Sequence, residues 1–429
     1  MSPHLSSNGV THLKDALDKL SSNFPGCFLT VVSPTEVIFN YQTGPFDVLQ
    51  RETSPSVDGN TIIWASSVTR FVVSFAYLQL VDQGLIALDT PMSKFSPELE
   101  SISRQILRGF DEQGDPIFEP SIRAITLRDM LNGTSGFDAE YGAIIKQWKA
   151  IPGHEKGFIN TCKAESLIHT PPTGQPGEVW KYGSSNDWLS LLFPRIAHQE
   201  LEEYLQEHVF RPLAIQTASF YPHDDPNLVG RIMPLRWITR TDSDGKHEFE
   251  PWTGQQGSHF LPTGRANIEY PTGGAALYAS PADIATLLQN VLAGHLGVSE
   301  NFTPLLKPET YRLLLSPDLE GPQVIGVDDM LNAYFHFLEE EKDIFLTTDD
   351  VSVTLGSVPM IVGKERKGGW GRRPGSAGWG GAAGTDFYID PATGIAVVFS
   401  TQLLPGSGPV VKGSKKIIER ALFEALEQK

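Results

Sequence analysis

The strongest constraint on the fold is one apolar stretch that begins just after a pair of serines. From Val68 to Gln83 the apolar side chains cover nearly every face of a helix, and Gly84 provides a stop signal. A helix that is apolar on all sides is buried, so the pattern predicts a central core helix over these residues. Its apolar members are Val68, Phe71, Val72, Val73, Phe75, Ala76, Leu78, Leu80 and Val81.

The two serines, Ser66 and Ser67, stand where this buried helix is expected to begin. Backbone N–H groups without intrahelical partners and the positive end of the helix dipole lower the cost of negative charge on a side chain there. Serine is also strongly preferred as a helix N-cap, which is a purely structural explanation. The position alone therefore leaves both a reactive hydroxyl and a simple cap open.

Composition and charge narrow the class of protein. The 429 residues with 40% hydrophobic content are enough for a large core, and we predict a single domain over 1–429. A net charge of -17 without any basic stripe argues against a nucleic-acid partner. Cys27 and Cys162 lie far apart in sequence, which favours thiols in a reducing compartment over a disulfide. Neither a membrane-span pattern nor a signal-peptide pattern occurs, so we expect a cytoplasmic protein without a membrane partner, with a cleaved precursor as the alternative.

The order of predicted elements is helix, strands, a long helical region, strands and helix, which is an α+β order. It predicts an antiparallel sheet built from both chain ends, roughly 1–65 and 350–429, and a helical and lid part at roughly 66–349. The main elements are a helix at Leu13–Leu20, strands at Cys27–Val32, Glu36–Tyr41, Thr385–Ile389 and Ile395–Thr401, a helix at Ala282–Leu292 capped by Ser280, and a closing helix at Lys415–Leu426.

Two stretches lack sustained periodicity. The first is polar and runs to Glu119, and the second runs from Arg231 to Pro271 and carries several aromatic residues. A long aromatic-bearing loop is more often a functional lid than filler, so we predict a lid with Trp237, Trp252 and Phe260 as substrate-binding residues. Aromatic side chains also anchor surface loops, and that alternative stays open.

Four segments resemble known motifs in a known order. Ser67-Val68-Thr69-Arg70 resembles the S-x-x-K motif at the start of a buried helix, and Ile125–Gly136 resembles the I-T-L-R-x-L-L-x-x-T-S-G segment. Pro176–Tyr182 resembles P-G-x-x-W-x-Y, and Ala377–Gly381 completes the set. The chain is similar to the serine β-lactamase and penicillin-binding-protein superfamily, specifically its class C-like branch of β-lactamase-fold esterases and lovastatin-type acyltransferases. The resemblance implies a β-lactamase-like α+β fold.

The same resemblance implies acyl transfer through a serine. Ser67 matches the nucleophile and Tyr182 the tyrosine that helps to move its proton, although a half-buried aromatic with a satisfied hydroxyl is the structural alternative for Tyr182. Backbone N–H groups of Ser67 and of one residue in the edge Gly380–Ala382 would form an oxyanion hole. Trp379-Gly380-Gly381 stands where lactamases carry K-T-G. The cation that meets a β-lactam carboxylate is therefore missing, and a β-lactam substrate is not expected.

Arg70 departs from the family's pattern, which has a lysine one helical turn after the nucleophile. A guanidinium stays protonated at any working pH and cannot act as a general base. If Arg70 lies near Tyr182, its fixed charge would favour the phenolate and leave Tyr182 as the only base for Ser67. The alternative is a repurposed non-covalent protein, either a cyclase or isomerase or a ligand-binding pseudo-hydrolase. Asp187 and Trp188 are expected to be structural.

The function expected from this branch is a serine-dependent hydrolase or acyltransferase. Its substrate would be an ester or thioester of a hydrophobic small molecule in secondary metabolism, and an acyl donor on coenzyme A or on a carrier protein is one option. No cofactor or metal is expected, because the eleven histidines show no H-x-x-x-H spacing. The segment 378–383 formally fits G-x-G-x-x-A, but no strand precedes it and no helix follows, which argues against dinucleotide binding.

Overall fold

The computed structural model describes residues 3–140, 142–154, 161–243, 245–253, 264–335, 346–363 and 371–426. The described helices are α1 (Ser7–Ser21), α2 (Thr69–Asp82), α3 (Pro97–Ile102), α4 (Leu127–Leu131), α5 (Ala143–Lys149), α6 (Ala164–Ile168), α7 (Ser185–Ala197), α8 (Leu201–Leu205), α9 (Pro281–Leu296), α10 (Pro308–Leu314), α11 (Val327–Phe335) and α12 (Pro409–Ala425). The described strands are β1 (Cys27–Val32), β2 (Val37–Thr43), β3 (Ile63–Trp64), β4 (Gln105–Phe110), β5 (Pro116–Pro120), β6 (Arg236–Thr241), β7 (His247–Pro251), β8 (Tyr278–Ala279), β9 (Val351–Val353), β10 (Pro359–Ile361), β11 (Ala377–Gly381), β12 (Thr385–Asp390), β13 (Ile395–Ser400) and β14 (Leu403–Leu404).

A seven-stranded antiparallel sheet in the order β2-β1-β13-β12-β11-β10-β9 forms the centre of the molecule. Its strands come from both ends of the chain, because β1 and β2 precede the helical region and β9 to β13 follow it. The two ends join in the ladder between β1 and β13, in which Leu29 pairs with Phe399. The predicted α+β fold, with an antiparallel sheet from both chain ends and flanking helices, is confirmed.

The two faces of the sheet are covered by different helices, since successive side chains of a strand point to opposite faces. Leu29 and Val397 face a core that α1 and α12 complete. Phe28 and Val398 face the larger core that contains α2 and α9. Every residue of β1, β12 and β13 is buried. β1 and β13 are accordingly almost entirely apolar, whereas β12 also buries Thr385, Asp386 and Asp390.

The predicted central helix is confirmed as α2, which follows a 3₁₀ turn at Ser66–Val68. Nearly all of its residues are buried, as its apolar faces require. The ring of Phe71 lies 5.6 Å from that of Phe387 in β12, and Tyr77 Oη donates to the Leu189 carbonyl of α7 at 2.7 Å. The helix therefore fixes the position of its own N-terminal turn against both the sheet and the helical region.

Other predicted helices are also present. The segment Leu13–Leu20 lies within α1, and Ser280 caps α9 by accepting the Asp283 N–H. The closing helix α12 begins at Pro409 rather than at the predicted Lys415, because proline is favoured in the first helical turn. Across the described ranges, no helix is both long and apolar enough to cross a bilayer.

Regular structure occurs in both stretches that lack sequence periodicity, so the expectation of loops there is wrong in part. β4 and β5 form a hairpin at the end of the first stretch, with Glu119 in β5, and β6 and β7 form another within Arg231–Pro271. β6 also pairs in parallel with β14, where Trp237 lies beside Leu404. Backbone pairing holds these strands while many of their side chains stay exposed, so they lack the apolar alternation that predicts a strand.

The strand β11 runs directly against the turn that leads into α2. A Cβ atom on Gly381 would lie 2.6 Å from the carbonyl oxygen of Ala65 and 3.2 Å from Ser66 Cβ. Such a separation is shorter than any ordinary contact, so only a residue without a side chain fits where the two backbones approach.

We expect Gly381→Ala to lower the free energy of unfolding by about 1–3 kcal/mol, because the strand and the turn must separate to make room. Gly413→Ala is the matched control, since Gly413 lies inside α12 and an added Cβ would meet nothing within 4 Å. Alanine should stabilise that helix by about 0.5–1 kcal/mol. Urea unfolding measures both changes, and equal effects at the two sites would contradict the close approach.

Candidate active site

Ser67 and Tyr182 come together as the sequence motifs predict. Ser67 lies in the 3₁₀ turn before α2, and its Oγ is 2.8 Å from Tyr182 Oη. The residue at the N-cap position of α2 is Val68, and no side chain caps that end. The capping explanation for the serines is therefore not observed, and the Ser67 hydroxyl instead faces a phenol.

The aromatic ring of Tyr182 lies between two tryptophans. Its centroid is 5.5 Å from that of Trp379 in β11 and 6.3 Å from that of Trp180. Trp379 is itself buried, so the strand edge that carries it closes one side of the site. Three of the four motif segments, those that carry Ser67, Tyr182 and Trp379, thus meet at one site.

Arg70 lies on the face of the Tyr182 ring. Its Cζ is 4.1 Å from the ring centroid, which is a cation–π arrangement. Nη1 donates to Asn186 Oδ1 at 3.1 Å and Nη2 donates to the Gly183 carbonyl at 3.0 Å. The guanidinium therefore supports the loop that carries Tyr182 and holds a permanent positive charge beside the phenol.

Asn186 and Ser357 are site residues that the sequence motifs did not reveal. Asn186 Nδ2 donates to Ser357 Oγ at 3.2 Å and to the Arg70 carbonyl at 3.4 Å. Ser357 Oγ in turn donates to the Leu131 carbonyl at 2.5 Å. These bonds orient the Asn186 amide so that its oxygen faces Arg70. Ser357 lies in the turn between β9 and β10, and nothing in its local sequence signals this contact.

Asp187 places a buried carboxyl group near Arg70. Its carboxylate accepts hydrogen bonds from Thr272 Oγ1 and, at 3.2 Å, from the Gly274 N–H. Burial raises the pKa of Asp187, while the charge of Arg70 and these hydrogen bonds oppose the rise. A Cβ on Gly274 would lie 3.3 Å from Asp187 Oδ2 and 3.4 Å from Arg70 Nη2. The glycine therefore leaves the two charges facing each other, and Asp187 has an electrostatic role besides the structural one expected.

The structure describes two of the three aromatic residues that were predicted to bind substrate. Trp252 stacks on Trp64 of β3, with 5.9 Å between the ring centroids. Trp64 is close in sequence to the turn that carries Ser67. Trp237 lies in β6, opposite Glu250 of β7. Phe260 lies outside the described residues. A substrate-binding role for these aromatic residues stays a prediction.

The fold and this arrangement define the class of protein. The family model described as Beta-lactamase matches residues 12–421, so the chain belongs to that family. The resemblance inferred from the motifs is confirmed.

Particular relatives are esterases and acyltransferases. The ML-236A carboxylate methylbutanoyltransferase mlcH of Penicillium citrinum is 26% identical over 393 residues, which cover 91% of this chain and 86% of that protein. Lovastatin esterase of Penicillium rubens is 26% identical over 395 residues, covering 90% of each chain. Unliganded simvastatin synthase (LovD) from Aspergillus terreus superposes with a TM-score of 0.82 at 23% identity, over 99% of this chain and 100% of that one, and so shows the fold.

The pairing of charges predicts a pH-dependent effect of removing Arg70. Without the guanidinium, the pKa of Asp187 should rise further, because burial then acts with less opposition. A raised folded-state pKa means that stability is lost as the pH rises through it. We therefore expect Arg70→Gln to lower the melting temperature more at about pH 8 than at about pH 5.5.

Two variants check this explanation. Asp187→Asn in the Arg70→Gln background should abolish the extra loss at the higher pH, because no carboxylate remains to ionise. Arg240→Gln is the control, since Arg240 is 68% exposed and lies on β6. A pH-independent loss in Arg70→Gln would contradict the charge pairing.

Proposed function

We propose that this protein transfers or hydrolyses acyl groups through an acyl-enzyme on Ser67. The observation that carries the proposal is the 2.8 Å contact between Ser67 Oγ and Tyr182 Oη, with Arg70 stacked on the tyrosine ring. A nucleophile and an adjacent group that can accept its proton are two of the parts that acyl transfer requires.

In the proposed reaction, Tyr182 acts as a phenolate. It takes the proton from Ser67 Oγ while that oxygen attacks the carbonyl carbon of the substrate, and the negative charge moves to the carbonyl oxygen. Collapse of the tetrahedral intermediate breaks the bond to the alcohol or thiol, which leaves with the proton from Tyr182. An acceptor alcohol or water then gives its proton to Tyr182 and attacks the acyl carbonyl. When this second intermediate collapses, the bond to Ser67 Oγ breaks and Tyr182 returns the proton to that oxygen.

Arg70 has an electrostatic role in this scheme. A cation at 4.1 Å from the ring attracts a phenolate more strongly than a neutral phenol, and a guanidinium cannot compete for the proton. The nearby carboxylate of Asp187 balances the charge of Arg70 in the substrate-free protein. Tyr182 is then the single group that shuttles the proton, a task shared with a lysine where the family has one.

The proposed substrate is an ester or thioester of a hydrophobic small molecule. Trp379 stands where a cation would bind the carboxylate of a β-lactam or peptide, so an apolar group is favoured beside Tyr182. The relatives are named for acyl transfer to ML-236A carboxylate and for lovastatin ester cleavage. These names support a role in secondary metabolism. An acyl donor bound to coenzyme A or to a carrier protein is one option within the proposal.

Covalent labelling tests the proposal. Wild-type protein should gain one adduct in its intact mass with a fluorophosphonate probe or a short p-nitrophenyl ester, and Ser67→Ala should gain none. Tyr182→Phe should slow acylation by about 10²–10⁴-fold, since the proton then lacks an acceptor. Tyr41→Phe is the control, because Tyr41 lies on β2 and its hydroxyl donates to the exposed Asp18 carboxylate at 3.0 Å.

One result would overturn the acyl-enzyme. If wild-type protein stays unlabelled while Arg70→Lys becomes labelled, the site has lost covalent catalysis through the arginine. The non-covalent alternative, a cyclase, an isomerase or a ligand-binding protein, would then replace it.

A further inference from the structure

Ser66, which precedes the proposed nucleophile, has an uncommon backbone conformation. Its φ is +51°, in the left-handed region that disfavours residues with a side chain. The residue is also 2% exposed. A buried residue in such a conformation persists only where its surroundings determine it from several directions, and such residues cluster at functional sites.

Contacts from three parts of the chain hold Ser66 in this conformation. The Ala382 N–H donates to Ser66 Oγ at 3.2 Å, and Thr69 Oγ1 donates to the Ser66 carbonyl at 2.6 Å. Thr69 Oγ1 also accepts the Leu277 N–H at 3.0 Å. The Ala65 N–H donates to the Leu277 carbonyl at 2.9 Å. The turn is thereby tied to the end of β11, to α2 and to the segment before β8.

The contact with Ala382 joins the two sides of the proposed oxyanion hole. One side is the turn that carries the Ser67 N–H, and the other is the edge Gly380–Ala382. Ser66 and Ala382 are 316 residues apart in sequence, so chain connectivity does nothing to set their separation. Because Gly381 has no side chain, its backbone can approach that of Ala65 closely. The hydrogen bond to the Ser66 hydroxyl then sets the distance between the turn and the end of β11.

We infer that Ser66 is a positioning residue whose hydroxyl, by accepting the Ala382 N–H, fixes the β11 edge at the distance from Ser67 that oxyanion stabilisation needs. This inference rests on the proposed function of Ser67. Ser66 neither gives nor takes a proton during the reaction. Because it acts on the geometry that matters most in the transition state, its loss should lower kcat and leave KM nearly unchanged.

Two variants separate the hydroxyl from the backbone conformation. Ser66→Ala removes Oγ and keeps a side chain at positive φ, whereas Ser66→Gly removes Oγ and also relieves the backbone. With a p-nitrophenyl ester, both should lower kcat by about tenfold or more and change KM by less than about twofold. Ser66→Gly should melt at a higher temperature than Ser66→Ala.

Ala214→Gly is the matched control for the backbone effect. Ala214 has a φ of +56°, close to that of Ser66, and lies in the segment that follows α8. Glycine there should raise the melting temperature and leave kcat at the wild-type value. If Ser66→Gly keeps the wild-type kcat while Ser66→Ala is slow, backbone strain and not the hydroxyl matters, and the inference is overturned.

Amide hydrogen exchange gives a readout that does not need turnover. The Ala382 N–H should be protected in the wild type and should exchange faster in both Ser66 variants, because they lack its acceptor. Equal exchange rates would overturn the contact itself. A wild type that is not acylated at Ser67 overturns the proposed function together with this inference, whereas wild-type acylation with unchanged kcat in the variants overturns the role of Ser66 alone.

Discussion

The close approach of two backbones, at Ala65 and Gly381, is the constraint on which the rest of the site depends. Neither side has freedom to move, since α2 is buried on nearly all faces and β11 is an inner strand of the sheet. The Ser67 hydroxyl and the end of β11 therefore face each other because the core of the protein is packed behind both. A site built this way is preorganised by the fold.

Arginine at the position of the family's lysine is accommodated by a set of acceptors that suit its shape. The planar group reaches the Asn186 oxygen and the Gly183 carbonyl while its face lies on Tyr182, a combination that a compact ammonium group cannot make. Asp187, next to Asn186 on α7, supplies the opposite charge. The residues around Arg70 thus provide acceptors that fit an arginine in place of the lysine. This fit favours a site in which the residues have different roles over a site that has lost its function.

Local signals in the sequence were enough for the scaffold. The all-round apolar pattern predicted α2, mostly apolar runs predicted β1 and β13, and the turn at Asp390–Gly394 indicated β12 before it. The hairpins β4–β5 and β6–β7 were missed because their stability comes from backbone pairing across exposed strands, which leaves no periodic pattern. A helix or strand could thus be predicted where the burial of its side chains leaves a pattern in the sequence.

Within the candidate site, too, some contacts could be predicted from the sequence and others could not. The meeting of Ser67, Tyr182 and Trp379 could be predicted from the order of their motifs. The contacts of Ser357 with Asn186, and of Ser66 with Ala382, could not, because each joins segments that only the tertiary fold brings together.

The ladder between β1 and β13 has a consequence for how this protein is made. When Ser67 has been synthesised, the strands that will complete the sheet do not yet exist, and β1 exposes one unpaired edge until β13 arrives. Closing so long a loop is slow, so the growing chain spends most of its synthesis without a complete core. A ribosome-bound or truncated chain that lacks β11 carries Ser67 without the strand that lies opposite it in the folded protein. The complete site therefore forms only when translation is nearly finished.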